Sequence, residues 1–398
     1  MQYDKVSAFV KLLRKNINKK LIIWGAGYNG KNLFKFCKTL SFDVSYFVDK
    51  SYTGKEDLLF STKIQSPNCL LQEEKDNIFV LVASTYYIEI KETLEEWGFR
   101  EHIDFIDTLT LNTAVAYDYD DCAHEYIMNK FIEGESLFKA IEIETINRCN
   151  NTCEFCPVNT TNEKREFGLM TDEMFNSIIE QLRELNYCGF VSLFSNNEPF
   201  LDKRIESFVK ITRDSLPKCY LSFFTNGTLL SMDRFLDIID DIDLLIIDNY
   251  SNDYEFVPYV KQIYEYCLDN ENVAKKIQII KRRKNQVLSS RGGQAPNKRI
   301  KNGFNNVTCL LPFQQMIVRP DGKISLCCND AYGNYTLGDL NQESVEDAWF
   351  NKNYKKIRES LIEGRKNIDM CSKCDTLIGE TTDVYMPAYT KGNLLTVW

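Results

Sequence analysis

Histidine is nearly absent from this sequence of 398 residues, which contains only His102 and His124. Both lie far upstream of the cysteine groups described below, so histidine offers those groups no nearby ligand. The chain also lacks an apolar run near the ~20 residues that a membrane-spanning helix needs. Residues 1–20 are polar and basic rather than an apolar signal segment. We therefore expect a cytoplasmic protein with no membrane partner.

An excess of basic charge is absent too. The net charge is −9 and the sequence pI is about 5.1, which argues against nucleic acid or an anionic membrane as the main partner. Residues 281–284 (Lys-Arg-Arg-Lys) form a short basic run. We interpret it as a solvated strand end or loop, with a nucleic-acid patch as the alternative.

Cysteine, by contrast, is abundant, with 14 in the chain. In a reducing compartment, disulfides are not expected, so these residues are interpreted as metal ligands or buried thiols. Eight fall in three tight groups, and six stand alone, mostly in apolar runs, where we expect buried thiols. The six are Cys37, Cys69, Cys122, Cys188, Cys219 and Cys267.

Strand and helix patterns alternate through the first ~110 residues. The hydrophobic pattern predicts strands at 21–24, 44–48 and 77–83, and helices at 31–40 and 86–97. This alternation implies an α/β domain with a small, Rossmann-like parallel sheet over residues 1–110. A polar, acidic linker is expected over 111–139.

A second alternating series begins at residue 140, and its repeated βα units predict a full or partial (β/α) barrel over 140–305. Strands are predicted at 140–146, 190–194, 220–224, 244–247 and 276–281. In such barrels the active site lies at the carboxyl ends of the strands. Residues 306–398 form a third domain, with a predicted hairpin turning at Pro320-Asp321-Gly322 and one predicted helix at 344–361.

A glycine-rich turn follows the first predicted strand. Gly25, Gly27 and Gly30 open a helix, and Asp49 ends the next strand, which is the context of a dinucleotide-binding fingerprint. The glycines allow close backbone approach, the helix start favours a phosphate, and Asp49 could accept hydrogen bonds from a ribose. Nucleotide or nucleotide-sugar binding is one hypothesis, and a purely structural or interaction role is the other.

Cys149, Cys153 and Cys156 form a CX3CX2C motif directly after a predicted strand. A structural zinc site needs four ligands, whereas three thiolates on a four-iron cube leave one iron free for an external ligand. Three coincidentally clustered cysteines, or a zinc site with a distant fourth ligand, are the alternatives.

This spacing, with Phe155 before the third cysteine, resembles that of radical S-adenosylmethionine (SAM) enzymes. The resemblance covers about 140–376 and implies a partial (β/α)6 barrel holding a [4Fe–4S] cluster with SAM at its open iron. It also implies cleavage of SAM to methionine and a 5′-deoxyadenosyl radical that abstracts a substrate hydrogen. A reductant of the flavodoxin or ferredoxin type is expected as electron donor.

Further motifs after successive strands extend the resemblance. The family's Gly-Gly-Glu-Pro segment reads Asn196-Asn197-Glu198-Pro199 here, so two asparagines replace the glycines. The resemblance implies that the SAM contacts are Phe155, Asn197, Glu198, Pro199, Asn226 and Asp248.

Cys309, Cys327, Cys371 and Cys374 form a second constellation. Four thiolates can close a zinc site or a fully ligated iron–sulfur cluster, and spacing alone does not separate the two. The hairpin with Gly322 resembles the SPASM/twitch extension of radical SAM enzymes. That resemblance implies a small α+β domain with one auxiliary [4Fe–4S] cluster.

The single-cluster layout is similar to that of radical SAM enzymes acting on cyclitols. It implies oxidation or epimerisation at a carbinol carbon of a sugar, cyclitol or nucleotide-sugar. Epimerisation would need a hydrogen-atom donor, for which the candidates are the Cys328 and Cys188 thiols. Modification of a ribosomally made peptide is an alternative, and a non-catalytic metal-binding scaffold is another.

Overall fold

The computed structural model describes residues 12–39, 42–50, 52, 58–108, 127, 137–298, 305, 308–376 and 394–397. The chain divides into two compact units, residues 1–119 and 120–398. This division falls inside the predicted linker 111–139, most of which lies outside the described residues. Among the helices that are described, none is long and apolar enough to cross a membrane.

The first unit is built on a six-stranded sheet in the order β3-β4-β2-β1-β5-β6. All described strand pairs in it are parallel except β3–β4. The elements are β1 (Lys20–Trp24), α1 (Tyr28–Thr39), β2 (Val44–Val48), β3 (Leu58–Leu59), β4 (Thr62–Gln65), β5 (Ile78–Val82), α2 (Tyr87–Glu96) and β6 (Phe105–Asp107). The predicted Rossmann-like parallel sheet is present.

Helices cover both faces of this sheet, which is why its central strands are apolar throughout. On β1, Ile23 packs in one cluster with Phe34 of α1, and Ile22 packs in the other with Leu94 of α2. All five residues of β5 are buried. Because side chains alternate between the two faces along each strand, the strands contribute side chains to two hydrophobic cores.

The second unit is built on a nine-stranded sheet in the order β14-β13-β12-β7-β8-β9-β10-β11-β15. Its strands are β7 (Ala140–Ile143), β8 (Phe190–Ser192), β9 (Tyr220–Thr225), β10 (Leu244–Tyr250), β11 (Ile277–Arg282), β12 (Gln315–Val318), β13 (Lys323–Ser325), β14 (Thr336–Asp339) and β15 (Leu395–Val397). Strands β7 to β11 are parallel neighbours in chain order. Their carboxyl ends therefore meet along one edge.

The described residues do not show all six βα repeats of the expected barrel. Five strands, β7 to β11, are joined by four main helices: α3 (Asp172–Glu184), α4 (Ile205–Ser215), α5 (Met232–Ile238) and α6 (Pro258–Asp269). The next strand, β12, pairs with β7 rather than with β11, where β15 adds instead. In the described residues the sheet thus ends at β14 and β15 and is not shown to close.

The remaining helices are short or belong to the carboxyl-terminal part. They are α7 (Glu271–Ala274), α8 (Leu311–Gln314), α9 (Val345–Phe350), α10 (Lys352–Ile362) and α11 (Asp369–Ser372). The predicted hairpin is confirmed as β12–β13, with Gly322 at φ 77° in its turn.

The single helix predicted at 344–361 is wrong, because the chain breaks at Asn351. That residue is extended (φ −68°, ψ 168°), and its side-chain oxygen accepts from the backbone N–H groups of Asn353 and Tyr354. Asparagine in this role starts a new helix, α10, rather than continuing α9.

Candidate active site and cysteine centres

The CX3CX2C loop directly follows β7 and packs against itself. Cys153 is buried, whereas Cys149 and Cys156 are half-buried. The Asn159 side chain donates to the Cys156 carbonyl at 3.0 Å, and Thr160 N donates to the Asn151 carbonyl at 2.9 Å. These bonds hold the loop around its three thiols.

The three thiols lie within electrostatic reach of one another. The pKa of Cys149 is raised to about 12, mainly by burial and in addition by the Glu198 carboxylate and the Cys156 thiol. The pKa of Cys153 is also raised by burial, and then by Cys156 and Cys149. Thiols held protonated in this way lose their protons when a metal centre binds. The donor set thus fits a cluster with three thiolate ligands.

Glu198 joins the loops after β8 and β9. It is 1% exposed, and its carboxylate accepts from the Thr225 hydroxyl and from Asn226 N, both at 2.7 Å. Burial raises its pKa to about 7. Pro199 opens the short turn Pro199–Leu201, which Glu198 caps. Two of the predicted SAM contacts are therefore linked directly to each other.

Asn226 also reaches the cysteine loop. Its amide nitrogen Nδ2 donates to Asn150 Oδ1 at 2.9 Å and lies 3.9 Å from Cys149 Sγ. Asn197 accepts from Ser195 N at 2.9 Å through Oδ1. Its Nδ2 is buried and, within the described part of the chain, has no partner. A buried donor of this kind fits a ligand with an acceptor group, such as the carboxylate of SAM.

Phe155 and Asp248 lie beside the same loop. The Phe155 and Tyr250 rings are 5.6 Å apart. Asp248 pairs with Arg282 at 2.7 Å and accepts from the Tyr250 hydroxyl at 3.2 Å. Phe155 directly precedes Cys156 in the chain, and Asp248 is near Cys153, since its charge raises the pKa of that thiol.

The basic run 281–284 is a strand end, as interpreted, but its charges are not all solvated. Arg282 is 3% exposed and pairs with Asp248. The Lys281 ammonium lies 3.6 Å from the centroid of the Phe256 ring. The Lys284 carbonyl accepts from Glu154 N at 2.8 Å. The run thus supports the cysteine loop.

Glu142 was not predicted, although it carries a charge in the middle of apolar strand β7. Its carboxylate accepts from the Ser195 hydroxyl and from Gln315 Nε2, both at 2.7 Å. Burial raises its pKa to about 7, and the Arg291 charge opposes that rise. A carboxylate in an otherwise apolar strand was the signal that could have identified it.

Arg291 was not predicted either, and no sequence motif marks it. Its Nη2 donates to the Cys328 carbonyl at 2.8 Å and also to Asn196 Oδ1. Its Nε is buried and has no partner among the described residues. Arg291 therefore presents a free N–H donor near the Glu142 carboxylate.

Arg165 fixes the backbone of the loop after β8. It pairs with Glu144 at 3.0 Å and with Glu163 at 2.9 Å, and its Nη2 donates to the Asn196 carbonyl at 3.0 Å. The ion pairs are buried. The contact with Asn196 holds the backbone of the loop that carries Asn197.

The four carboxyl-terminal cysteines are brought together. Cys309, Cys327 and Cys371 are buried, and Cys374 is half-buried. Burial raises the pKa of Cys327 well above its usual value, and the other three cysteines of the set raise it further. Across the described residues no three side chains converge on the position of a single metal ion. The seven cysteines thus form a group of three and a group of four.

The two candidate hydrogen-donor thiols differ in position. Cys328 is half-buried, and its pKa is raised by burial and by the Glu142 charge, so it lies at the site. Cys188 is exposed and precedes β8, at the opposite edge of the sheet from the cysteine loop. It is neither a buried thiol, as predicted, nor close to the other site residues.

The other isolated cysteines mostly follow the prediction. Cys37, Cys219 and Cys267 are buried, and Cys69 is half-buried. Cys122 lies outside the described residues.

The glycine turn of the first unit joins β1 to α1. Gly25 has a φ of 115°, and a Cβ at Gly30 would lie 1.8 Å from the Gly25 carbonyl oxygen. Gly27 has open space around it. The Asp49 carboxylate accepts from Ala26 N at 2.7 Å, so it contacts the turn itself. Binding of a nucleotide here stays a prediction.

Three family models match successive parts of the chain. A model described as C2185-like, N-terminal, matches residues 17–103. The radical SAM superfamily model matches 143–284, and an iron–sulfur cluster-binding domain model, SPASM, matches 309–375. The last match favours iron–sulfur over zinc for the four-cysteine group.

The chain is also similar to characterised proteins. It is 27% identical over 255 residues to the S-adenosyl-L-methionine-dependent 2-deoxy-scyllo-inosamine dehydrogenase of Niallia circulans, covering 63% of this chain and 98% of the relative. A crystal structure of BtrN in complex with AdoMet and 2-DOIA has a TM-score of 0.54 at 26% identity, over 61% of this chain and 94% of that chain. A structure of BtrN in an open conformation has a TM-score of 0.46 at 24% identity, with the same coverage.

The three thiols after β7, the asparagine and glutamate side chains at the next two strand ends, and the four-thiol group agree with these matches. The chain therefore carries a radical SAM domain over residues 143–284, followed by an iron–sulfur cluster-binding SPASM domain over residues 309–375.

Proposed function

We propose that this protein is a radical SAM dehydrogenase that oxidises a secondary alcohol of an aminocyclitol or related cyclitol to a ketone. The observation that carries the proposal is the placement of the buried Glu142 carboxylate near the Arg291 guanidinium, whose charge opposes the rise in the Glu142 pKa. Both lie next to the loop that holds Asn196 and Asn197. The relative from Niallia circulans, named for oxidation of a cyclitol, supports the substrate class.

The cysteines and the polar residues have different roles in this proposal. Cys149, Cys153 and Cys156 would hold the SAM-binding cluster, and Cys309, Cys327, Cys371 and Cys374 the auxiliary cluster. When bound, the three-cysteine cluster together with SAM would supply a 5′-deoxyadenosyl radical for removal of the carbinol hydrogen, and the auxiliary cluster would supply an acceptor for the second electron. Asn197 Nδ2 would bind SAM, and Glu198 orients Asn226 through its backbone N–H.

Glu142 and Arg291 act on the substrate oxygen. Oxidation of a carbinol also releases the hydroxyl proton, which needs an acceptor. A carboxylate with a pKa of about 7 is suited to take that proton at neutral pH. The Nε–H of Arg291 can donate to the same oxygen as negative charge develops on it.

The test is turnover of 2-deoxy-scyllo-inosamine by the reconstituted holoenzyme with SAM and dithionite. We expect a ketone and 5′-deoxyadenosine in about equal amounts. Glu142→Gln should lower ketone formation by about 10²-fold or more, while SAM cleavage persists. 5′-deoxyadenosine without ketone would reject this substrate class, and no 5′-deoxyadenosine after full reconstitution would reject the enzyme itself.

Epimerisation is the second candidate, because the Cys328 thiol lies near Glu142. A thiol donor would return a solvent-exchangeable hydrogen to the substrate radical. In D2O, an epimerised product would carry deuterium at the reacting carbon, whereas a dehydrogenase product would carry none. Cys328→Ala should abolish epimerisation and leave dehydrogenation measurable.

A further inference from the structure

We propose that Asn196 is a positioning residue that holds the Arg291 guanidinium against the Cys328 carbonyl, so that one guanidinium serves both the substrate site and the auxiliary cluster. The substrate half of this proposal rests on the proposed function, and the cluster half does not.

The contacts form a closed triangle of hydrogen bonds. Arg291 Nη2 donates to the Asn196 side-chain oxygen and, at 2.8 Å, to the Cys328 carbonyl. Asn196 Nδ2 donates to the same carbonyl at 3.2 Å. The asparagine therefore uses both its oxygen and its nitrogen on the two partners, which a glycine at this position could not do.

Each corner of the triangle belongs to a different part of the site. Asn196 is 6% exposed and lies in the loop after β8, where Arg165 fixes its carbonyl. Arg291 lies in the Arg291–Gly293 turn after β11. Cys328 directly follows Cys327, one of the four thiols of the auxiliary group. The triangle thus links the loop after β8 to the segment after β13 that carries Cys327.

The turn that carries Arg291 is itself attached to the other half of the auxiliary group. Ser290 N donates to Asp375 Oδ1 at 2.7 Å, and the Ser290 hydroxyl donates to the Lys373 carbonyl at 2.7 Å. These two residues flank Cys374. Arg291 is therefore held at a fixed position relative to both pairs of cysteines.

A cation in this place has an expected effect on the cluster. Reduction adds negative charge to an iron–sulfur cluster, and nearby positive charge and hydrogen bonding raise its reduction potential. The Glu142 carboxylate lies within electrostatic reach of Arg291, since the Arg291 charge opposes the rise in the Glu142 pKa. Moving the guanidinium away from the Cys328 carbonyl should therefore disfavour the reduced cluster.

The experiment is a potentiometric titration of the holoenzyme followed by electron paramagnetic resonance, with SAM added to identify the signal of the three-cysteine cluster. In Asn196→Ala, we expect the auxiliary cluster to become harder to reduce by about tenfold in its reduced-to-oxidised ratio, which is about 59 mV for a one-electron couple. Arg291→Gln removes the charge itself and should shift the potential in the same direction.

The matched control is Asn341→Ala, because Asn341 is an exposed asparagine of the domain that carries the four-cysteine group and its side chain donates to the Asp321 carbonyl. It should leave the potential unchanged. Unchanged potentials in Asn196→Ala and Arg291→Gln, at wild-type iron content, would overturn the proposal. If the Asn196→Ala protein does not incorporate both clusters, the reduction potential of the Arg291→Gln protein alone tests the proposal.

Turnover separates this inference from the proposed function. If wild-type protein forms ketone, Asn196→Ala should raise the ratio of 5′-deoxyadenosine to ketone about tenfold and raise KM more than it lowers kcat, because Arg291 is no longer aimed at the substrate. If wild-type protein forms no ketone but the potentials shift as expected, the triangle stands and the proposed substrate fails.

Discussion

At the scale of single residues, Glu142 combines a raised pKa with a position beside Arg291, Ser195 and Gln315. Only the ionised carboxylate can accept a proton. Since burial and the Glu144 charge raise its pKa to about 7 while Arg291 lowers it, ketone formation should rise with pH through about 7 and then level off. The pH–rate profile of kcat measures this.

The matched variant is Glu142→Gln, which keeps the shape but cannot ionise. Its low residual rate should lose the rise near pH 7. A profile that still rises in this variant would assign the titration to another group.

Arg365 is a second residue whose charge should act on the auxiliary cluster. It is fully buried and donates to the Thr376 carbonyl at 2.6 Å, and its charge opposes the rise that burial causes in the pKa of Cys309 and Cys371. Arg365→Met keeps most of the volume and removes the charge. We expect a more negative potential for the auxiliary cluster, measured by redox titration.

Arg358 offers the comparison, because it is a buried arginine of the same domain that packs on Trp349 and Tyr354, 4.0 and 4.4 Å from the ring centroids. Arg358→Met should lower the free energy of unfolding and leave the reduction potential of the auxiliary cluster unchanged. Equal shifts of the auxiliary cluster's reduction potential in both variants would mean that disruption of the domain, and not the charge of Arg365, causes the effect.

At the scale of elements, the break between α9 and α10 depends on one side chain. Asn351 Oδ1 accepts two backbone N–H groups of the first turn of α10. Asn351→Ala should lower the free energy of unfolding of the second unit by about 1 kcal/mol, a typical value for a lost N-cap. Denaturant unfolding measures this.

Asn353→Ala is the control, since Asn353 is exposed in the same turn. Its effect should stay within about 0.5 kcal/mol. An equal decrease in the free energy of unfolding in both variants would mean that helix propensity, rather than the N-cap hydrogen bonds, determines the decrease.

The elements also show which features could be predicted from the sequence. Apolar runs such as those of β5 and β10 identify strands because most side chains of these strands are buried. The cysteine loop, Glu198 and Asn226 follow strands directly, so local order in the chain predicted their proximity. Arg291 and the β12–β7 pairing could not be found in this way, because each depends on contacts between segments far apart in the chain.

The helix break was missed for a different reason. Hydrophobic periodicity continues across Asn351, so the pattern predicts one helix. Only the side-chain hydrogen bonds of Asn351 turn the chain out of the helix there. Capping chemistry competes with periodicity, and here it prevails.

At the scale of the whole molecule, the two units have separate sheets and separate cores. We therefore expect two unfolding transitions in calorimetry. Gly30→Ala should lower the midpoint temperature of the first unit's transition only, because a Cβ there would lie 1.8 Å from the Gly25 carbonyl oxygen. Gly27→Ala, where there is open space, is the control. A single transition shifted by Gly30→Ala would mean that the units unfold together.

Strand β7 pairs with β8 on one side and with β12 on the other. The two family matches, to 143–284 and 309–375, invite division of the enzyme between them. A chain ended before β12 would expose the N–H and C=O groups of β7 as a raw sheet edge prone to aggregation. That edge is the strand that carries Glu142 and leads into the cysteine loop. We therefore expect that the two family domains cannot be produced as separate folded fragments. A chimera that takes its auxiliary domain from a relative would have to include a β12 strand that pairs with β7.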